Sequence, residues 1–168
     1  LRLELDGAEL LKTDSTWKAR ANSAIVFNGL RSGETFDDRA FVENWAMPDY
    51  DDTSWDDALP DEHPPKGVLR RCDCEPIRAV QEYKPISVKK TGAGKYLYDF
   101  GQNLSGFIKL RVTGTSGQQV LIRYAEQIKD DGSLELNDMQ RHYPETAFQT
   151  DCFICSGRLQ QWSPRFAY

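Results

Sequence analysis

Two carboxylates facing one bond can divide the acid and base roles of a hydrolysis. Asp99, Glu126, Glu135 and Asp151 are the candidates for such a pair, but no spacing in the chain sets any two of them at the required separation. Carboxylates at strand ends usually bond to nearby backbone groups, and that is the expected role of Asp99 and Glu126. The two histidines, His63 and His142, are far apart in the chain, and a relay with serine or cysteine needs convergence in space. His63 lies in a proline-rich stretch and is expected at the surface. His142 lies in "RHYPE" beside Arg141, Tyr143 and Glu145. Such a polar, aromatic loop can bind sugar but more often faces solvent.

The cysteines form a C-x-C pair, Cys72 and Cys74, and a C-x-x-C pair, Cys152 and Cys155. Four sulfurs suffice for a zinc site. The C-x-C spacing is unusual for one, however, and residues i and i+3 of a strand point to opposite faces. The expected role is small apolar packing in a reducing compartment, without metal. "DYDDTSWDD" has the charge density of a cation loop but lacks the sixth-position glycine and twelfth-position glutamate of a calcium loop. A solvated acidic turn with Trp55 tucked into the core is expected. "GAGKYLYDFG" has no helix after it and is no phosphate cradle. Trp17, Trp45, Trp55 and Trp162 would stack on sugar rings if exposed, but large aromatics are mostly buried.

Composition narrows the field. Of 168 residues, 39% are hydrophobic and 28% charged, with a net charge of -5. This is the profile of a soluble globular chain with a real core, and it argues against a nucleic-acid or anionic-membrane surface. No apolar run is long enough to span a bilayer. Leu1 opens on an alternating pattern, with no signal peptide and no initiator Met. This reads as an internal fragment, expected in the cytoplasm, with secretion as the alternative.

The elements that must position these residues are β-strands. "LRLEL" alternates, "DG" turns, and "ELLKTDSTWKA" reads as the return strand. "SAIVFNGL" is a short apolar strand, and "RSGETFDDRA" reads as a loop turning at Gly33. "MPDYDDTSWDDALP" has a helix-start signal, with Asp52 or Thr53 capping a short turn. "DEHPPKG" is a proline-rich linker that sets a boundary near residues 60–68. From Ile86, "ISVKKT", "KYLYDF", "GFIKLRVTG" and "QQVLIRYAEQI" are strands rich in β-branched and aromatic residues. "FQTDCFICSG" and "LQQWSPRF" read as a final hairpin with Gly157 in its turn. Turn signals at this density predict an all-β, antiparallel β-sandwich.

"YDFGQNLSGF", residues 98–107, is the densest polar stretch between two strands. Gly101 and Gly106 permit backbone conformations closed to other residues. Tyr98 and Phe100 should share one face of the strand, with Asp99 opposite, and Gln102 and Asn103 suit the backbone groups of a turn. Asp99, Gly101, Gln102, Asn103 and Gly106 are therefore expected to build a structural corner. Lining a cleft of a larger enzyme comes second.

"GETFDDR" followed by Trp45, and then "DYDDTSWDDA", resembles the end of the N-terminal jelly-roll domain of bacterial α-L-rhamnosidases. "EPIRAVQEYKPISV" resembles their connecting segment, and "YLYDFGQNLSGFIKLRVTGTSGQQVLIRYAEQIKDDGSL" is similar to the opening of the β-sandwich that follows. "TDCFICSG" and "WSPRFAY" resemble its later strands. The resemblance implies a concanavalin-like or jelly-roll sandwich with a partial second sandwich in front. Residues 1–62 would be the C-terminal part of a jelly-roll accessory domain, 63–85 a linker and 86–168 the β-sandwich. It also implies a parent enzyme that cleaves terminal α-L-rhamnose by inversion, with no organic cofactor. The family's catalytic carboxylates sit in an (α/α)6 barrel C-terminal to this region, and no such helical repeat occurs here. The implied role is an accessory region, inactive alone, that supports or positions that barrel. Its partners would be the barrel and, through the parent enzyme, rhamnosides. No catalytic, cofactor or metal residue carries over; the rhamnose and calcium ligands of some relatives' modules match no position. A carbohydrate-binding module and a zinc-stabilised interaction domain built on the four cysteines are the rival readings.

Overall fold

The computed structural model describes residues 2–64, 66–68, 70, 72–137, 141 and 148–165. In chain order the strands are β1 (Arg2–Leu5), β2 (Ala8–Lys12), β3 (Lys18–Ala19), β4 (Ile25–Gly29), β5 (Gly33–Asp37), β6 (Asp56–Asp57), β7 (Ser87–Gly92), β8 (Lys95–Asp99), β9 (Leu110–Thr113), β10 (Gln119–Arg123), β11 (Thr150–Ile154) and β12 (Leu159–Trp162). A 3-10 turn, Asp38–Ala40, follows β5. The chain forms two compact units, Leu1–Ser23 with Val42–Pro76 and Ala24–Phe41 with Ile77–Tyr168. The linker composition near residues 60–68 therefore does not mark the whole division, because β4 and β5 cluster with the later residues.

In the first unit, β1 and β2 pair antiparallel across Asp6 and Gly7. These residues have φ of 51° and 80°, the left-handed pair that an Asp-Gly hairpin turn supplies. β3 pairs with β6, and the Trp17 indole donates to the Lys12 carbonyl at 3.0 Å. The acidic stretch forms turns and then β6, not a helix. Asp51 organises it, rather than Asp52 or Thr53: its Oδ1 accepts from the Thr53 backbone N–H at 3.1 Å and from the Thr53 hydroxyl at 2.7 Å. A short acceptor side chain of this kind offers the backbone an alternative to helix. Trp55 is half-buried, edge-on to Tyr50 at 5.6 Å.

In the second unit, a four-stranded sheet has the order β10-β11-β5-β4. Its outer pairs are antiparallel and its central pair, β11 and β5, is parallel, with Phe153 opposite Phe36. "GETFD" is thus a central strand, not the loop expected from its charge and glycine. It also gives "SAIVF" a neighbour, and β11 beyond it lies after Ile86. β9 and β12 form a separate antiparallel pair. The expected final hairpin does not exist, since β11 and β12 belong to different sheets. The bend between them contains Gly157 at φ 102° and carries the chain across the core. There Phe153 stacks on Phe36 at 6.0 Å, and Trp162 of β12 lies 5.4 Å from Phe153. Ala24 and Cys155 complete the buried cluster, flanked by Leu110, Val112, Val120 and Ile122. Apolar residues from both sheets meet here, as in a β-sandwich.

Candidate functional site

The tightest constraint in the fold brings two acidic side chains together. Gly33 has φ +100°, and a Cβ there would lie 2.2 Å from the Thr150 carbonyl oxygen and 2.9 Å from Asp151 Oδ1. Only glycine lets β5 approach β11 this closely. Glu34 and Asp151 are consequently sealed from solvent, at 1% and 0% exposure. Asp151 Oδ1 accepts the Glu34 backbone N–H at 2.8 Å, and its Oδ2 accepts the Tyr124 hydroxyl at 2.6 Å. Glu34 Oε2 accepts from Arg165 Nη1 at 2.6 Å and from Asn28 Nδ2 at 3.2 Å. Buried acidic groups persist when paired or well hydrogen-bonded: Glu34 is both, and Asp151 is held by two hydrogen bonds. The cluster pins β4, β5, β11 and the residues after β10 and β12 in one register. Its carboxylates are engaged and closed off, so it is not organised for proton transfer to a substrate. Of its members, sequence reasoning singled out only Asp151. Glu34, Asn28, Tyr124 and Arg165 carry no motif, and only the Gly-Glu start of a buried strand could have pointed to them.

The other carboxylate candidates are dispersed. Asp99 Oδ1 accepts the Gly101 N–H at 2.7 Å, while the Asp99 carbonyl accepts the Ile86 N–H at 2.7 Å. Glu135 accepts the Asn137 N–H at 2.8 Å, with Lys129 Nζ 3.9 Å away. Glu126 lines an open cleft of about 310 Å³ with Asn103, Leu104 and Ser105. Within the corner, Gly101 is left-handed at φ +78°, and a Cβ on it would meet the tip of Ile86 at 2.9 Å. Gly106 is not among the left-handed glycines, and a Cβ on it meets nothing within 4 Å. Its expected conformational role falls away. Among the described residues Gln102 and Asn103 make no side-chain hydrogen bond to the turn.

His63 is exposed, with its backbone N–H on Asp61 at 2.8 Å. His142, Tyr143 and Glu145 lie outside the described residues; the Arg141 N–H donates to the Asn137 carbonyl at 3.0 Å. Trp162 is buried, Trp17 half-buried and Trp45 exposed. Cys72 and Cys74 are exposed, whereas Cys152 and Cys155 are buried, and all four are free. Burial pushes both buried thiols up, with the charges of Asp37 on Cys152 and Asp38 on Cys155 adding to it. Among the described residues no group of three or more His, Cys, Asp or Glu is placed to hold a metal ion, and no helix is long and apolar enough to cross a membrane.

Beside the core lies a cavity of about 230 Å³ lined by Phe36, Phe41, Phe153 and Trp162, with Asp38, Gln161 and Ser163. Asp38 is 5% exposed, and its Oδ2 accepts no hydrogen bond among the described residues. The neighbouring Asp37 caps the 3-10 turn. It is bound by the Arg39 guanidinium at 2.9 and 2.7 Å, which holds its carboxyl below the usual range.

Two family descriptions together match the chain except for residues 82–88. Residues 1–81 match an α-L-rhamnosidase N-terminal domain, and residues 89–168 match a bacterial α-L-rhamnosidase concanavalin-like domain. An α-L-rhamnosidase of Alteromonas sp. (strain LOR) is 30% identical over 160 residues, covering 95% of this chain and 17% of the relative. One from Streptomyces avermitilis is 30% identical over 163 residues, covering 96% and 15%. The solved α-L-rhamnosidase of Dictyoglumus thermophilum superposes with a TM-score of 0.83 at 34% identity, over 97% of this chain and 18% of that one. The Streptomyces avermitilis enzyme complexed with L-rhamnose gives 0.82 at 28% identity, over 97% and 16%. The chain thus spans well under a fifth of each of these relatives.

Proposed function

The chain belongs to the bacterial α-L-rhamnosidase family, and from that membership we propose that it is the accessory β-sandwich region of an enzyme hydrolysing terminal α-L-rhamnose from glycosides. In this reading it supports or positions a catalytic (α/α)6 barrel of the parent enzyme, and rhamnosides are met only through that enzyme. The observation that carries the reading is uncovered apolar surface. Ile86, the hairpin residues Val88, Tyr96 and Tyr98, and Leu121 of β10 are each more than half exposed. A two-stranded hairpin with a bare face is marginal on its own and gains stability by packing against further structure.

The corner at residues 98–107 serves this role structurally, with Asp99 and Gly101 closing the hairpin onto Ile86. Four free thiols suit a reducing compartment, and we place the chain in the cytoplasm. Among the described residues no carboxylate pair is organised for acid–base work, and the reading holds that this chain does not act without its barrel. An assay of the purified 168-residue chain on an aryl α-L-rhamnoside should give no turnover. Turnover that survives repurification and disappears in Asp99→Asn or Glu126→Gln would refute this. A carbohydrate-binding module has one observation in its favour: Tyr96 and Tyr98 are exposed on one face of β8. Titration with L-rhamnose decides between the two, since saturable heat lost in Tyr96→Ala would favour the module.

A further inference from the structure

We propose that the aromatic cavity around Asp38 is a socket for a single arginine side chain brought by the rest of the parent enzyme. It deepens the accessory reading, on which it rests, by naming what the rest of the enzyme contributes to this surface. Three properties point to a guanidinium. The first is an unmet acceptor. Asp38 is 95% removed from solvent, yet its Oδ2 is without a hydrogen bond among the described residues. Among the described residues Asp38 forms a loose ion pair with the Arg158 guanidinium, whose Nε is 4.0 Å from Oδ2, beyond hydrogen-bond range. Arg158 lies mostly in solvent, with its side chain 51% exposed. The loose pair offsets part of the charge but leaves Oδ2 without a donor, a desolvation cost that a charge-assisted hydrogen bond removes.

The second property is the wall. Phe36, Phe41, Phe153 and Trp162 surround the space, with ring centroids from 5.4 to 6.1 Å apart. Guanidinium is planar and weakly hydrated and stacks on aromatic faces, whereas ammonium is compact and strongly hydrated. The third is size. About 230 Å³ falls below the roughly 300–1,000 Å³ of small-molecule sites, which suits one long side chain better than a free ligand. Gln161 and Ser163 add polar groups at the lining. The occupant is thus defined by charge complementarity: a flat cation on a flexible stem, lying against the ring-lined wall and reaching Asp38.

The test is a titration of the 168-residue chain with N-acetyl-arginine amide, followed through the indole N–H resonance of Trp162. N-acetyl-citrulline amide, the neutral isostere, and N-acetyl-lysine amide are the comparators. The expected result is a saturable shift with the arginine compound, at least fivefold weaker with the lysine compound and absent with citrulline. Asp38→Asn should abolish it. Should that variant fail to fold, the arginine-against-citrulline comparison on the unaltered chain decides alone. No saturable shift up to 100 mM arginine compound, an equal response to citrulline, or an undiminished response in a folded Asp38→Asn would each overturn the proposal. None of these outcomes bears on the rhamnoside assay or the L-rhamnose titration, so the accessory reading stands or falls separately.

Discussion

Replacing Gly33 by alanine tests whether the close approach of β5 to β11 organises the second unit. Two costs add. At φ +100° a residue with a Cβ pays about 1–3 kcal/mol of backbone strain. The new methyl would also sit 2.2 Å from the Thr150 carbonyl oxygen, a backbone atom that moves only if the strand moves. Separating the strands breaks the bond from the Glu34 N–H to Asp151 Oδ1, and a buried group left without its partner costs about 1–3 kcal/mol. The total, about 2–6 kcal/mol, is a large fraction of the roughly 5–15 kcal/mol that holds a domain together. With a urea m-value of about 2 kcal/mol/M, the midpoint should fall by about 1–3 M. Tryptophan fluorescence during urea denaturation measures it. Gly132→Ala isolates the strain, because Gly132 is also left-handed, at φ +81°, but has nothing within 4 Å of its Cβ position. It should lose about 1 kcal/mol. Gly101→Ala should lie between, because the Ile86 tip it meets can shift. Gly106→Ala should stay within about 0.5 kcal/mol of the parent. A Gly33→Ala midpoint no lower than that of Gly132→Ala would refute the reasoning.

Arg165→Met should destabilise by about 2–4 kcal/mol, because it strands the Glu34 carboxylate in the interior; Tyr124→Phe should cost about 1–2 kcal/mol. Equal midpoints for both variants and the parent would show that the cluster is not a stabilising unit. A thiol reagent should modify Cys72 and Cys74 quickly and Cys152 and Cys155 only on unfolding, and elemental analysis should find no stoichiometric zinc; one zinc per chain lost only on unfolding would reverse this. The raised folded values of the two buried thiols imply that their contribution is complete below the unfolded value near 9.0 and lost as pH rises above it. The urea midpoint should therefore fall less between pH 7 and 10 in Cys152→Ala than in the parent, and an identical fall would remove the cysteine from the account. In hydrogen exchange, the amides of β5 and β11 should outlast those of β1 and β2, because the former lie at the centre of a four-stranded sheet and the latter form an exposed hairpin; uniform protection would contradict that order.

Much of the architecture was legible in the chain. β-Branched and aromatic runs between turn residues located β7 to β10, because those side chains suit a pleated, half-buried surface regardless of partner. Asp6-Gly7 and Gly101 were legible for the same local reason: left-handed φ is a property of single residues. What tertiary structure decided is where charge goes. "GETFD" looks like a loop by composition and is the centre of a sheet, because Arg165 pairs with Glu34 and Asn28 donates a hydrogen bond to it, and both lie outside that segment. "TDCFICSG" and "LQQWSP" look like a hairpin by spacing and are not, because Phe153 and Trp162 pack against each other from two sheets. Gly106 resembles Gly101 in sequence, but only Gly101 is left-handed and pressed against Ile86. The socket at Asp38 was invisible for the same reason. Residues from β5, β11, β12 and the turn after β5 create it, and no stretch of sequence holds more than a part of it. Local conformational preference is written residue by residue, whereas compensation of buried charge and closure of a core depend on partners that only folding assembles.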